Sequence, residues 1–386
     1  MMKKIQFLTA GESHGKGLLG IIEGIPAGLE MNENLIAEQL SRRQMGYGRG
    51  KRMKIEQDRA EIYCGVRHGQ TLGSPIGLIL PNKDWANWEQ VMSSDQVDNP
   101  GKQITLPRPG HADLAGIQKF GFTDIRNVLE RSSARETAMR VALSSICRKL
   151  LDTFDIHIAS RVTRIYNITD STTNPLDMSL KTLNHHADQS PVRCLDSHAE
   201  QQMLKAIDLA IQAGDSVGGE IQILASGLPY GLGTYTHWDK KLHARIAEAL
   251  MSVNAFKSIE FGPAVEYSKK RGSETHDEIG WDGKTYTRST NHAGGIEGGM
   301  SNAQWLDIRV VMKPIPTLIK PLKSVDILTK ESKSAHKERT DTCAVPAASI
   351  VAEGMLAFVL ADALLEKFGG DSVDQLTQHI HATGKF

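Results

Sequence analysis

Residues 349–365 read SIVAEGMLAFVLADALL, apolar nearly all the way round a helix. A surface helix confines its apolar side chains to one stripe, so this one must be covered on most sides. Pro346 at a first-turn position and the Gly369–Gly370 pair set its limits at about 346 and 368, the expected asymmetry of helix ends. Such a helix fits packing between sheets better than packing along one exposed face. Further helix-like runs fall near 33–43, 134–151, 199–213 and 239–253. Strand-like runs are KKIQFLTA (3–10), GLLGIIEGI (17–25), PIGLILP (75–81), EIQILASGL (220–228) and WLDIRVVMKP (305–314), most ending in Gly or Pro. No linker interrupts them. Residues 161–198 are polar and poorly periodic, and read as an excursion from the core.

The chain of 386 residues is long enough for a sizeable core, in one large domain or in two or three. No run of about 20 strictly apolar residues occurs, and the opening MMKKIQFLTAGESHG is too polar for a signal peptide. A soluble, cytoplasmic protein without a membrane partner is expected. The 45 basic and 45 acidic side chains cancel, so any grip on an anion must be a local cluster. Cys64, Cys147, Cys194 and Cys343 are scattered, form no C-x-x-C pair and have no zinc spacing, so they read as reduced packing residues and no metal site is expected.

Residues 129–145, LERSSARETAMRVALSS, pair Ser133 with Glu136 at the S-x-x-E spacing of a capping box, which predicts a helix from about Ala134 to Leu151. Its head, with Arg131, Arg135 and Ser132 beside a helix N-terminus, is a general recipe for holding an anion. An ordinary capped helix with solvated arginines fits the same residues. Gly15, Gly17 and Gly20 spell G-x-G-x-x-G, but Gly24, Pro26 and Gly28 follow, and no helix can open there. Gly214, Ser216 and Gly218 spell G-x-S-x-G between a helix and a strand, the reverse of a nucleophile elbow. No P-loop sequence exists.

What remains is a set of scattered segments dense in Arg, His, Lys and Gly. SRRQMGYGRGKRMKIEQD (41–58) is a basic loop carrying Arg42, Arg43, Arg49, Lys51, Arg52 and Lys54; an RNA-binding module would need aromatic platforms there, and Tyr47 stands alone. TAGESHGKG (9–17) sets His14 among glycines, and LPRPGHADLAG (106–116) sets Arg108 and His111 about a Pro-Gly turn. NHAGGIEGGMSN (291–302), MKPIPT (312–317) and KERTDTCAVPAA (337–348) add a second glycine loop, Lys313 among prolines, and Arg339 and Asp341 just before the long helix.

Together these segments resemble the chorismate synthase family. GESHG, RPGHAD, RSSARETA, GDSVGG, HAGGIEGG and KPIPT occur in the family's order, with no departure at a motif position. The resemblance covers nearly the whole chain apart from about 161–198 and the extreme C-terminus. It implies an α+β fold, a single large domain (1–386) with helices sandwiched between antiparallel sheets, assembled as a homotetramer. It implies a carbon–oxygen lyase that removes phosphate and a ring proton from 5-enolpyruvylshikimate 3-phosphate by 1,4-anti elimination, giving chorismate. This is the last step of the shikimate pathway, and it needs reduced FMN without net redox change. No segment suited to NADP-dependent flavin reduction stands out, so a separate flavin reductase is expected, and no nucleic-acid partner.

Carried over residue by residue, the resemblance implies ligand contacts at Arg43 and Arg49. It implies flavin contacts at Arg131, Ser132, Ser133, Asn254, Ala255, Gly298, Lys313, Pro314, Ile315, Pro316, Thr317 and Arg339. His14 corresponds to the proton donor to departing phosphate, His111 to the residue at the reduced flavin ring, and Asp341 to the carboxylate that manages the ring proton.

Overall fold

The strand-like runs build two antiparallel sheets. The computed structural model describes residues 4–50, 58–98, 101–172, 178–338 and 340–383. Strands β1 (Gln6–Gly11), β2 (Gly17–Glu23), β3 (Glu61–Cys64) and β4 (Ile76–Pro81) form the first sheet in the order β1-β2-β4-β3. Strands β5 (His157–Ile165), β6 (Ile168–Thr169), β7 (Gly219–Ser226), β8 (Phe256–Phe261) and β9 (Leu306–Met312) form the second in the order β8-β9-β7-β5-β6. Burial alternates residue by residue along β9, the period-two pattern of a strand with one face on the core.

The main helices are α1 (Glu33–Gln44), α2 (Asp113–Phe120), α3 (Arg126–Ser132), α4 (Thr137–Thr153), α5 (Leu180–Gln189), α6 (Ser197–Ala213), α7 (Leu242–Met251), α8 (Val345–Phe368) and α9 (Val373–Thr383). Helix α4 lies on the first sheet, α8 on the second, and the two pack on each other, which gives a sheet–helix–sheet sandwich. Helix α8 is the apolar stretch from which the reading began. It is long and apolar enough to cross a membrane by length and composition, but it is almost wholly buried inside this fold. Gly354 shows how closely its neighbour approaches: a Cβ there would lie 2.3 Å from Ser144 Oγ on α4. A glycine inside a helix costs about 1 kcal/mol relative to alanine, and here it makes room for the helix contact. At the other edge Phe7 of β1 stacks on Phe358, with centroids 4.2 Å apart.

Three expectations are corrected. Residues 161–165 are no excursion; they complete β5, an almost wholly buried inner strand. Arg161 is tolerated there because Gln222 Oε1 accepts from its Nε at 2.8 Å and Asp170 Oδ2 from its Nη1 at 3.2 Å. The capping box is only half formed. Ser133 Oγ accepts from Arg135 N–H at 3.3 Å, but a 3-10 turn (Ala134–Glu136) precedes α4, and Glu136 pairs with Arg140 at 2.6 Å instead of reaching back. Finally, Arg131 and Ser132 belong to the last turn of α3 rather than to the head of α4. In the basic run at 41–58, Arg42 and Arg43 are buried, and Lys51, Arg52 and Lys54 lie outside the described residues.

Candidate active site

A cavity of about 560 Å³ opens where the β1–β2 loop, the α3–α4 junction, the α7–β8 turn and the segment after β9 meet. That is within the range of about 300–1,000 Å³ usual for small-ligand sites. Asn82, just after β4, organises the β1–β2 loop: its Nδ2 donates to the carbonyls of Glu12 (3.1 Å), Ser13 (3.3 Å) and Gly15 (2.8 Å). Its Oδ1 accepts from Arg135 Nε at 3.0 Å, so one amide ties the His14 loop to the α3–α4 junction. Arg135 Nη1 donates to Asp58 at 2.6 Å, and Arg43 Nη1 lies 3.7 Å from the same carboxylate. Two guanidiniums sharing one carboxylate leave a net positive charge at the wall. Burial lowers the Arg43 guanidinium to about 10, which still keeps it protonated at neutral pH.

A second cluster surrounds His111. Arg108 donates from its backbone N–H, Nε and Nη2 to Asp113 at 3.0, 2.8 and 3.0 Å, and from Nη1 to Thr317 Oγ1 at 2.9 Å. His111 Nδ1 lies 2.5 Å from Asp113 Oδ1. Burial alone would raise the Asp113 carboxyl, but the hydrogen bonds from His111 and Arg108 outweigh it and hold it well below the usual carboxylate range. Asp113 therefore stays a pure acceptor that fixes both neighbours. Lys313 Nζ reaches across to Gly110 O at 2.6 Å.

The third group is Asp341, whose Oδ1 accepts from Gly50 N–H at 2.6 Å and whose Oδ2 lies 3.0 Å from Arg49 Nε. Asn254 Nδ2 donates to Ser132 O at 3.0 Å, joining the α7–β8 turn to the end of α3. Ala255 beside it sits at φ 71°, a strained conformation for a residue with a Cβ, and its carbonyl accepts from Lys313 N–H at 3.0 Å. Ser216 is buried and donates to Ile315 O at 2.7 Å, so the G-x-S-x-G serine is a brace for the 313–317 segment. Gly218 serves the same segment, since a Cβ there would lie 2.3 Å from Met312 O. Burial pushes the nearby Cys343 thiol up to about 12, which removes it as a thiolate nucleophile.

The lining is therefore strongly one-sided in charge. Among the described residues, Arg43, Arg49, Arg108, Arg135, Lys257 and Lys313 face it against the carboxylates Glu338 and Asp341, with His14 and His111 between them. Met251, Val253, Phe256, Met312, Ile315 and Pro316 supply an apolar wall. An anionic ligand with a flat apolar part suits this combination.

Comparison with known proteins decides the family. The family model described as chorismate synthase matches residues 5–365. The chorismate synthase of Bacillus licheniformis is 49% identical over 387 residues, 99% of each chain, and that of Listeria welshimeri is 50% identical over 380 residues, 97% of each. A crystal structure of chorismate synthase superposes with a TM-score of 0.79 at 40% identity, covering 98% of this chain and 97% of that one.

The chain belongs to the chorismate synthase family. It is a carbon–oxygen lyase that eliminates phosphate and a ring proton from 5-enolpyruvylshikimate 3-phosphate to form chorismate. Of the residues that the chorismate synthase motifs pick out, Arg43, Arg49, His14, His111, Ser132, Ser133, Asn254, Ala255, Lys313, Ile315, Pro316, Thr317 and Asp341 line this one cavity. Arg131 does not: its guanidinium donates to Thr9 O at 2.8 Å and Gly11 O at 3.2 Å along β1. Pro314 and Gly298 are likewise absent from the lining, Gly298 lying at φ 59° in the turn between two short strands, and Arg339 lies outside the described residues. Asn82 lies outside every motif, and a lone Asn between segments carries no local signal. Asp58, Asp113, Glu130 and Glu338 lie within the quoted segments, but nothing in the sequence assigned them a role, because their partners are fixed by the fold.

Proposed function

We propose that this cavity holds the substrate against reduced FMN, and that His14, His111 and Asp341 divide the proton traffic of the elimination. The observation that carries this reading is the convergence of those three groups with Arg43, Arg49, Arg108 and Arg135 on one cavity. The lining fits the cofactor: basic groups for a phosphate, an apolar wall for a planar ring, and Lys313, Ile315, Pro316, Thr317, Asn254 and Ala255 as the backbone and side chains that would hold it. When bound, reduced flavin supplies transient electron density to the substrate and a partner for the ring proton. The electron pair of the C–O bond leaves with phosphate, the ring double bond shifts, and the pair of the broken C–H bond becomes the new double bond, so the step balances without net redox change.

His14 protonates phosphate as it leaves, while the arginines stabilise the charge that builds there more than they stabilise the bound ester. His111, held by Asp113, is the residue that would face the cofactor and stabilise charge on its ring. Asp341, oriented by Arg49 and Gly50 N–H, takes part in removal of the ring proton. The protein works in the cytoplasm as a homotetramer supplied by a separate flavin reductase. Exposed Leu8, Leu19, Ile21 and Tyr63 on the first sheet support self-association.

Asp341→Asn tests the division of labour. The amide keeps the size and much of the hydrogen bonding, so substrate and flavin should bind nearly as in the parent while ring-proton loss slows. Deuterium at that carbon should then give a larger isotope effect on chorismate formation than in the parent. An unchanged rate with an unchanged isotope effect would make Asp341 a structural partner of Arg49 alone.

A further inference from the structure

Glu130 lies in the last turn of α3 with only 2% of its side chain exposed, two residues before Ser132, and no motif reading assigns it a role. It makes an unusual number of contacts with one short segment. Its backbone carbonyl accepts from Ser13 N–H at 3.0 Å, and its Oε2 accepts from His14 N–H at 2.9 Å. Both carboxylate oxygens then lie 3.0 Å from His14 Nδ1. Oε1 also accepts from Arg126 Nη1 at 3.0 Å. The imidazole face is covered in turn by Trp88, with centroids 3.9 Å apart and planes 24° from parallel, and Arg126 sits 5.2 Å from the centroid of the same indole.

We propose that Glu130 is the positioning residue for His14: it holds Nδ1–H, and so assigns proton transfer to Nε2. This rests on the reading of His14 as the donor to phosphate. A carboxylate paired with Arg126 accepts hydrogen bonds, so the ring nitrogen that faces it, Nδ1, is the one that carries the shared proton. The proton given to phosphate then leaves from Nε2, and the neutral ring that remains is the single Nδ1–H tautomer, ready to be reprotonated at the same nitrogen. Ordering the loop needs only the backbone contacts to Ser13 and His14. The additional bond to the ring is what a proton donor requires and a loop brace does not. Charge supports the assignment, because Arg126 already balances Glu130. A proton on His14 therefore leaves this corner of the cavity positive, as a departing phosphate demands. The stacked indole fixes the one motion that the carboxylate leaves open, tilting of the ring out of its plane.

The test uses the full chain with reduced FMN and substrate, and histidine ring-nitrogen NMR assigned by the loss of the His14 signals in His14→Ala. The parent should show His14 with Nδ1 protonated, a result that needs no variant at all. Glu130→Gln keeps the size but can donate as well as accept, so the signal should become a mixture of tautomers. Turnover should fall by between about ten-fold and the full ~10²–10⁴-fold loss of a missing general acid, with substrate KM little changed. The double variant His14→Ala, Glu130→Gln should be no slower than His14→Ala. An Nε2–H tautomer in the parent, parent-like turnover in Glu130→Gln, or multiplying losses in the double variant would overturn the proposal. If His14→Ala itself turns over normally, the donor reading fails instead, and the NMR result still decides whether Glu130 holds Nδ1.

Discussion

With His14 as the proposed donor to phosphate, His14→Ala should lower turnover by about 10²–10⁴-fold, the usual contribution of one general acid, and leave flavin affinity little changed. The loss corresponds to roughly 3–5 kcal/mol of barrier. The arginines around the cavity offer charge but no transferable proton, since a guanidinium stays protonated. His111 offers a proton but sits in a separate cluster with Arg108 and Asp113. His111→Ala should therefore act differently, weakening or altering the bound reduced cofactor rather than the departure of phosphate. Single-turnover phosphate release by both variants, at saturating flavin, separates the two. Parent-like release by His14→Ala would remove the general-acid role.

The second large effect is on folding. Glu353 sits in the middle of α8, 1% exposed, and its carboxylate collects Arg42 (2.8 and 3.1 Å), Arg148 (2.5 Å), Arg193 (3.2 Å) and the Ser160 hydroxyl (2.6 Å). Burial works against its ionised form, but the three guanidiniums outweigh that and hold the carboxyl well below its usual range. Burial also lowers Arg193 to about 9 in spite of Glu353, so removing the carboxylate leaves that charge still worse placed. Glu353→Ala should cost about 3–5 kcal/mol of stability, the range for breaking a buried pair from one side. The pH dependence has a definite sign. A depressed folded-state pKa gives stability that is present above the unfolded value, about 4.3 for a glutamate, and is lost as pH falls toward the folded one. Urea unfolding of the parent should therefore weaken between about pH 5 and pH 3 more steeply than that of Glu353→Gln. Equal slopes, or a Glu353→Ala midpoint equal to the parent's at pH 7, would mean that the cluster adds nothing.

These two residues also show what the sequence could and could not display. The apolar circumference of α8 was legible, and with it the sandwich, because burial on all sides needs side chains that make no demands on water. The long strands were legible for the same reason, through runs of Ile, Leu and Val ending at Gly or Pro. Strand β5 was not, because Arg161, Thr163 and Arg164 break its pattern. Their partners lie 9 to 61 positions away, and periodicity says nothing about partners at that range. Helix α3, only seven residues long, was hidden for a related reason: too few turns exist to show a period, and missing it placed Arg131 at the head of α4. In the active site, the motifs located most of the residues that line the cavity, but not the contacts that hold them. Asn82 and Glu130 act on the His14 loop from 67 to 116 positions away, through hydrogen bonds closed only in three dimensions.

The central claim is that one cavity eliminates phosphate with reduced flavin present but not consumed. Chorismate and inorganic phosphate should be counted together with flavin oxidation state, under strictly anaerobic conditions, using purified protein, substrate and a small fixed amount of prereduced FMN. The account predicts equal amounts of chorismate and phosphate, many turnovers per flavin, and a flavin still reduced at the end. Full-rate turnover with oxidised FMN, or one flavin oxidised per chorismate formed as a flavin reductase would require, would contradict it.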